Sequence, residues 1–166
     1  IRPVQLSQDP STLSDVIRHA LRYYQETGIE VSTVTMLLPT SPFLEGKHIY
    51  EAICLFREGT APAVLSVTSC ESPPFNTFVI EQKLKQPRLA YCFPDSKFRK
   101  TKSTESPETY RSNGAILILD VQKFLEVHSF HELEIAPYVM EQRYSVDIDT
   151  QFEYQMACAL EEISKH

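Results

Sequence analysis

Two segments with an apolar repeat near 3.6 residues are each followed by a short apolar run, and this order constrains the fold more than any other feature of the chain. In "STLSDVIRHALRYYQETG", Leu13, Val16, Ile17, Ala20, Leu21 and Tyr24 recur at helical spacing and Gly28 supplies a stop. "IEVSTVTMLLP" reads as a strand, and its continuous Met36–Leu37–Leu38 run predicts cover on both faces. A second helix in "KHIYEAICLFREG", with Ile49, Ala52, Ile53 and Phe56 inward, precedes a second strand in "APAVLSVTSC". Helix–strand–helix–strand order predicts an α/β fold: three layers, built on a mostly parallel sheet with right-handed crossovers.

From about Glu71 to Pro107 the pattern breaks. Short strand candidates ("TFVIEQKL", "RLAYCF") and the polar loop "PDSKFRKTKSTESPE" suit an irregular insertion or an antiparallel flap. "NGAILILD" resumes as a core strand, "VQKFLEV" is a short helix, and "SFHELEIAPYVMEQRYSVDID" holds one or two further strands. The last helix, "TQFEYQMACALEEISKH", has an apolar face of Phe152, Met156, Ala159, Leu160 and Ile163. With 166 residues and no repeat or low-complexity linker, residues 1–166 are expected to form a single domain.

A net charge of −6 argues against nucleic acid as the main partner, although a small phosphate ligand needs only a few local donors. No apolar run reaches the roughly 18–20 residues of a membrane span. The opening "IRPVQLSQDP" lacks the layout of a signal peptide, and a chain that starts on Ile1 is expected to continue upstream. Cys54, Cys70, Cys92 and Cys158 are scattered without a CxxC pair, so reduced thiols in a cytoplasmic protein are expected.

Three turns fall where an open α/β sheet binds ligands, at the carboxyl ends of strands. "PTSP", Pro39 to Pro42, offers the hydroxyls of Thr40 and Ser41 on a stiff loop; equally, it reads as a strand-to-helix turn with a hydroxyl cap. "YRSNGA" sets the turn dipeptide Asn113–Gly114 beside Arg111, which either grips an anion with a forked donor pair or is an ordinary surface arginine. "SVDIDTQFEYQ" places Asp147 and Asp149 two apart. In a strand both would point the same way, an arrangement that suits Mg²⁺. Alternatively the acidic pair serves the helix that follows, where Thr150 and Glu153 match a capping box. The basic run "KFRKTK" is either a phosphate grip or a solvated loop.

Taken in order, these motifs resemble the acylneuraminate cytidylyltransferases, the CMP-sialic acid synthetases. "IRPVQLSQDPSTLSDVIRHAL" is similar to the family's "RPAELA-D" segment, "TMLLPTSPFLEG" to "LLQPTSPLR", "YRSNGAILIL" to "NGAIYI", and "YSVDIDTQFEYQMA" to the "SIDID" ending. The resemblance implies a nucleotide-diphosphosugar-transferase-like, Rossmann-like fold. It also implies transfer of CMP from CTP to the anomeric hydroxyl of a nine-carbon 2-keto sugar acid, with release of pyrophosphate. By position, Asp147 and Asp149 match the metal-binding and catalytic aspartates, for Mg²⁺ or Mn²⁺. Arg2 and Thr12 match the nucleotide site, and Thr40, Ser41, Arg111 and Asn113 the sugar site. A homodimer is implied, with segments at about 71–112 and 126–137 serving the sugar site and the dimer contact.

The sequence also departs from that pattern. No "PAR-GSK" phosphate loop occurs in these 166 residues. Leu38, Leu44, Asn76 and Leu117 stand where the family has glutamine, arginine, lysine and tyrosine, and three of these are sugar contacts there. The alternative expectation is therefore a non-catalytic chain that keeps the fold and binds a ligand or partner.

Overall fold

Thr12 opens the first helix, α1 (Leu13–Glu26), by a reciprocal cap: its hydroxyl accepts from the Asp15 N–H at 3.2 Å, and the Asp15 carboxylate accepts from the Thr12 N–H at 2.9 Å. The structure is a computed structural model that describes residues 12–82, 86–100 and 106–164, with backbone alone for residues 99 and 100. Arg2 lies outside the described residues.

Along the chain, α1 leads to β1 (Thr33–Leu37), α2 (Gly46–Arg57) and β2 (Ala63–Ser69). A separate hairpin of β3 (Phe78–Glu81) and β4 (Arg88–Tyr91) follows, then β5 (Tyr110–Asp120) and α3 (Val121–Leu125). Last come β6 (Ile135–Val139) and α4 (Gln151–Ser164). The main sheet has the order β1–β5–β2–β6. β5 runs antiparallel to β1 and β2, while β2 and β6 are parallel, so three of the four strands point one way. The expected mostly parallel α/β sheet is present, with β5 reversed in its middle. The irregular segment forms the expected antiparallel flap, since β3 pairs with β4 and not with the main sheet.

The three layers follow from the pleat of β5. Leu117 and Leu119 face one side and join Ile17 and Leu21 of α1, Val121 and Phe124 of α3, and Phe130. Ile116 and Ile118 face the other and join Val64, Met140 and Ala52 of α2. Each such fully buried side chain contributes about 1.5–3 kcal/mol. Arg18 ties α1 to α3: its guanidinium lies 4.5 Å over the Phe124 ring and donates to the carbonyls of Phe124, at 3.2 Å, and Val127. On the opposite side the Tyr138 hydroxyl of β6 donates to Glu51 of α2 at 2.5 Å.

Three elements differ from expectation. Among the described residues β1 pairs on one edge only, and its burial alternates, leaving Leu37 42% exposed, because α1 covers the face that carries Val34 and Met36. Residues 145–148 form no strand; a 3-10 turn (Gln142–Tyr144) ends the extended course after β6, and the segment runs as loop into α4. α4 turns Glu153, Ala157 and Leu160 inward, so Phe152 and Ile163 of the expected apolar face are 67% and 71% exposed.

Candidate functional site

β2 and β5 do not stay in step. Leu65 pairs with Leu117, yet Val67 pairs with Ser112, so β5 bulges opposite Ser66. A bulge removes N–H groups from the ladder, and here side chains satisfy them. Ser66 Oγ accepts from the Ile116 N–H at 2.7 Å, Asn113 Oδ1 from Ala115 at 3.2 Å, and Ser112 Oγ from Gly114 at 3.3 Å. Gly114 occupies the crest with φ +73°, a conformation that costs any residue with a Cβ.

The same bulge sets the position of Asp147. A Cβ added to Gly114 would lie 3.2 Å from Asp147 Oδ2 and 3.2 Å from the Leu38 side chain. The glycine thus lets the backbone of β5 approach a carboxylate closely. Asp147 Oδ1 is buried and has no hydrogen-bond partner among the described residues. A buried carboxylate oxygen without a donor is costly unless something cationic or protic meets it.

Asp147 lines a cleft of about 700 Å³ with Arg111, Ser69, Cys70, Gln142 and Arg143, and with Met156 and Leu160 of α4. The loop before α4 also reaches the "PTSP" turn, because the Ile148 N–H donates to the Thr40 carbonyl at 2.9 Å. Ser41 is buried beside it, and its Oγ has no partner among the described residues. Asp149 is exposed. It does not cap α4: Glu153 accepts from the N–H groups of Asp149 and Thr150, at 3.0 and 2.7 Å, while Thr150 Oγ1 accepts from Glu153 N–H at 3.3 Å. The Thr150 hydroxyl, followed by the backbone N–H groups, holds the Glu153 carboxyl below its ordinary range. The capping box exists, and both aspartate carboxylates are left out of it.

Asn113 is not available to a ligand. It is 1% exposed, and its amide is fully engaged: Oδ1 accepts from Ser66 Oγ at 2.5 Å, and Nδ2 donates to Ser145 Oγ at 2.8 Å and to Met140 Sδ at 3.3 Å. Its side chain is committed to the interior, because a buried amide turns toward the partners that satisfy it. Thr12 caps α1 and is not among the residues lining the cleft. Of the altered positions, Leu117 is 1% exposed in the core, so its side chain answers to packing and not to a ligand. Leu38 is half-buried against Gly114, Leu44 packs on the α2 side of the core, and Asn76 is exposed in a 3-10 turn (Pro74–Asn76). In the basic run, Lys97 lies 5.0 Å over the Phe98 ring, and residues 101 and 102 lie outside the described residues.

Sequence reasoning missed Ser66 and Ser145. Ser66 had a readable signal: with Val64 and Thr68 it lies on the buried face of β2, where an interior hydroxyl implies a specific partner. Ser145 had none in spacing alone.

Asp147 suits a hard divalent cation, with an orphaned oxygen and a close glycine, while Asp149 is exposed and is not among the residues lining the cleft. Among the described residues no group of three or more His, Cys, Asp or Glu gathers at one point.

The chain is similar to curated cytidylyltransferases. It is 29% identical over 164 residues to the N-acylneuraminate cytidylyltransferase of Escherichia coli O18:K1:H7, which covers 98% of this chain and 36% of that protein. It is 25% identical over 173 residues to the CMP-N,N'-diacetyllegionaminic acid synthase of Legionella pneumophila, covering 99% of this chain and 69% of the relative. The N-acylneuraminate cytidylyltransferase of Streptococcus agalactiae serotype V is 26% identical over 156 residues, 35% of its length. The chain therefore spans little more than a third of the E. coli and streptococcal relatives. No family model matches it. Among the described residues, no helix is long and apolar enough to cross a membrane.

Proposed function

We propose that this chain serves the transfer of CMP from CTP to the anomeric hydroxyl of sialic acid or a related nonulosonic acid. The hydroxyl oxygen bonds to the α-phosphorus, the bond from that phosphorus to the β-phosphate oxygen breaks, pyrophosphate leaves, and the hydroxyl proton passes to solvent. Asp147 and Asp149 hold Mg²⁺ or Mn²⁺, which neutralises charge on the phosphates when bound. Arg111, exposed on the cleft wall, pairs with the carboxylate of the sugar acid. The observation that carries this reading is the buried Oδ1 of Asp147, without a partner among the described residues, on a carboxylate whose Oδ2 faces Gly114. Similarity to relatives named for this chemistry supports it.

Two chains pair through the β3–β4 hairpin, where Ile80 and Leu89 are 64% and 68% exposed on an arm that no other strand among the described residues joins. Cytoplasmic residence goes with CTP as substrate and with four free cysteines.

The test is pyrophosphate release by the full-length protein from CTP, Mg²⁺ and a panel of nonulosonic acids. Release with at least one acid, lost in Asp147→Asn, is expected. No release with any acid would favour the second reading, a non-catalytic chain that binds ligand in the same cleft. That reading draws on Leu38, an apolar side chain against Gly114 where a polar sugar contact would otherwise stand.

A further inference from the structure

Ser66, Asn113 and Ser145 form one directed chain of hydrogen bonds through the protein interior. Ser66 Oγ donates to Asn113 Oδ1, Asn113 Nδ2 donates to Ser145 Oγ, and Ser145 Oγ donates to the Glu141 carbonyl at 2.9 Å. The first three groups are each 0–1% exposed, so water cannot replace any link. The chain joins β2, the bulge of β5 and the turn before Asp147, elements far apart in sequence. At one end the bulge presents Gly114 to Asp147 Oδ2; at the other, Ser145 fixes the backbone two residues ahead of that aspartate.

We propose that Ser66, Asn113 and Ser145 are positioning residues that hold the Asp147 carboxylate in the orientation that binds a divalent cation. The inference rests on the reading of Asp147 as a metal ligand. Without the chain, the 141–145 turn loses its tie to β5 and the carboxylate is free to swing from Gly114. Hydrogen bonds behind a metal ligand commonly set affinity by about 10–100-fold.

The test is titration of the full-length protein with Mn²⁺ alone, followed by electron paramagnetic resonance, at a temperature where circular dichroism shows each variant folded. Ser145→Ala is expected to raise the Mn²⁺ Kd about tenfold, and Ser66→Ala about threefold, as it is one link more remote. Thr68→Ala removes another buried hydroxyl from the same face of β2 and is expected to leave the Kd unchanged. If Asp147→Asn abolishes Mn²⁺ binding but Ser145→Ala keeps the parental Kd, the positioning role is overturned and the metal site stands. Equal loss in Thr68→Ala also overturns it, since general loosening then explains the effect. If Asp147→Asn keeps the parental Kd, the metal reading fails and this inference with it. Should Ser145→Ala not fold, Ser66→Ala carries the same decision: an unchanged Kd there overturns the proposal.

Discussion

Gly114 and Asp147 approach so closely that a single methyl group on the glycine would stand 3.2 Å from the carboxylate oxygen. Gly114→Ala meets two costs at once, that contact and a φ of +73°. The backbone strain alone is about 1–2 kcal/mol. A matching loss in urea unfolding is expected, together with weaker Mn²⁺ binding, because the side chain that must give way is the proposed ligand.

Asn113→Ala orphans the Ala115 N–H and takes one partner each from Ser66 and Ser145, which keep Ile116 and the Glu141 carbonyl. The orphaned group costs about 1–3 kcal/mol. Asn113→Ala is therefore expected to lower stability by at least that much in chemical denaturation. An unchanged midpoint would show that the interior network does not hold the bulge.

Arg111→Ala should raise KM for the sugar acid by about 10–100-fold, the worth of a lost charge-assisted pair, with KM for CTP little changed. Steady-state kinetics on the full-length protein read the split. An equal rise for both substrates would move Arg111 away from the sugar carboxylate.

His48 carries a pH dependence. Its Nδ1 accepts the Glu45 N–H at 3.1 Å at the start of α2, its ring is 4.6 Å from that of Tyr144, and burial holds its pKa below the ordinary 6.5. The folded state favours the neutral ring. Its contribution is fully present above about pH 6.5 and is lost as pH falls through the lowered folded value. Melting temperatures measured down from neutrality should fall in that window for the parent. The fall should be smaller for His48→Gln, whose amide oxygen accepts the same N–H at every pH.

The exposed hairpin predicts the effect of charge on assembly. Leu89→Glu, or Ile80→Glu, should convert a dimer to a monomer in analytical ultracentrifugation without lowering the unfolding free energy of the monomer by more than about 0.5 kcal/mol. A parent that sediments as a monomer would sink the dimer reading.

Much of the fold was legible because periodicity reports burial directly. The helices α1, α2 and α4 lie within a few residues of where their apolar repeats put them. The separate hairpin was signalled by the loss of pattern after Glu71. What periodicity cannot carry is the partner of a strand, so the reversed β5 between β1 and β2 had no signature. The same limit applied to the cleft. "PTSP" and "VDID" were recognisable apart, but the bond from Ile148 to Thr40 that joins them is between backbone groups, which every residue has. Asn113 looked like a turn residue, and its neighbour Gly114 does take the positive φ. Its burial depends on Ser66 and Ser145, which lie 47 and 32 residues away.

The bulge opposite Ser66 has one more consequence, for how this stretch of chain can change in length. Leu117 and Leu119 face α1 and α3, while Ile116 and Ile118 face α2, so each side of the sheet depends on odd and even positions staying as they are. Deleting or adding a single residue between Ser112 and Ile116 would exchange the two faces or drag Arg111 out of line with Asp147. The residue count there cannot drift. The interval from Arg111 to Ile116 thus acts as a fixed spacer, locking the cleft to the interior in a way that an alteration to either would expose in the other.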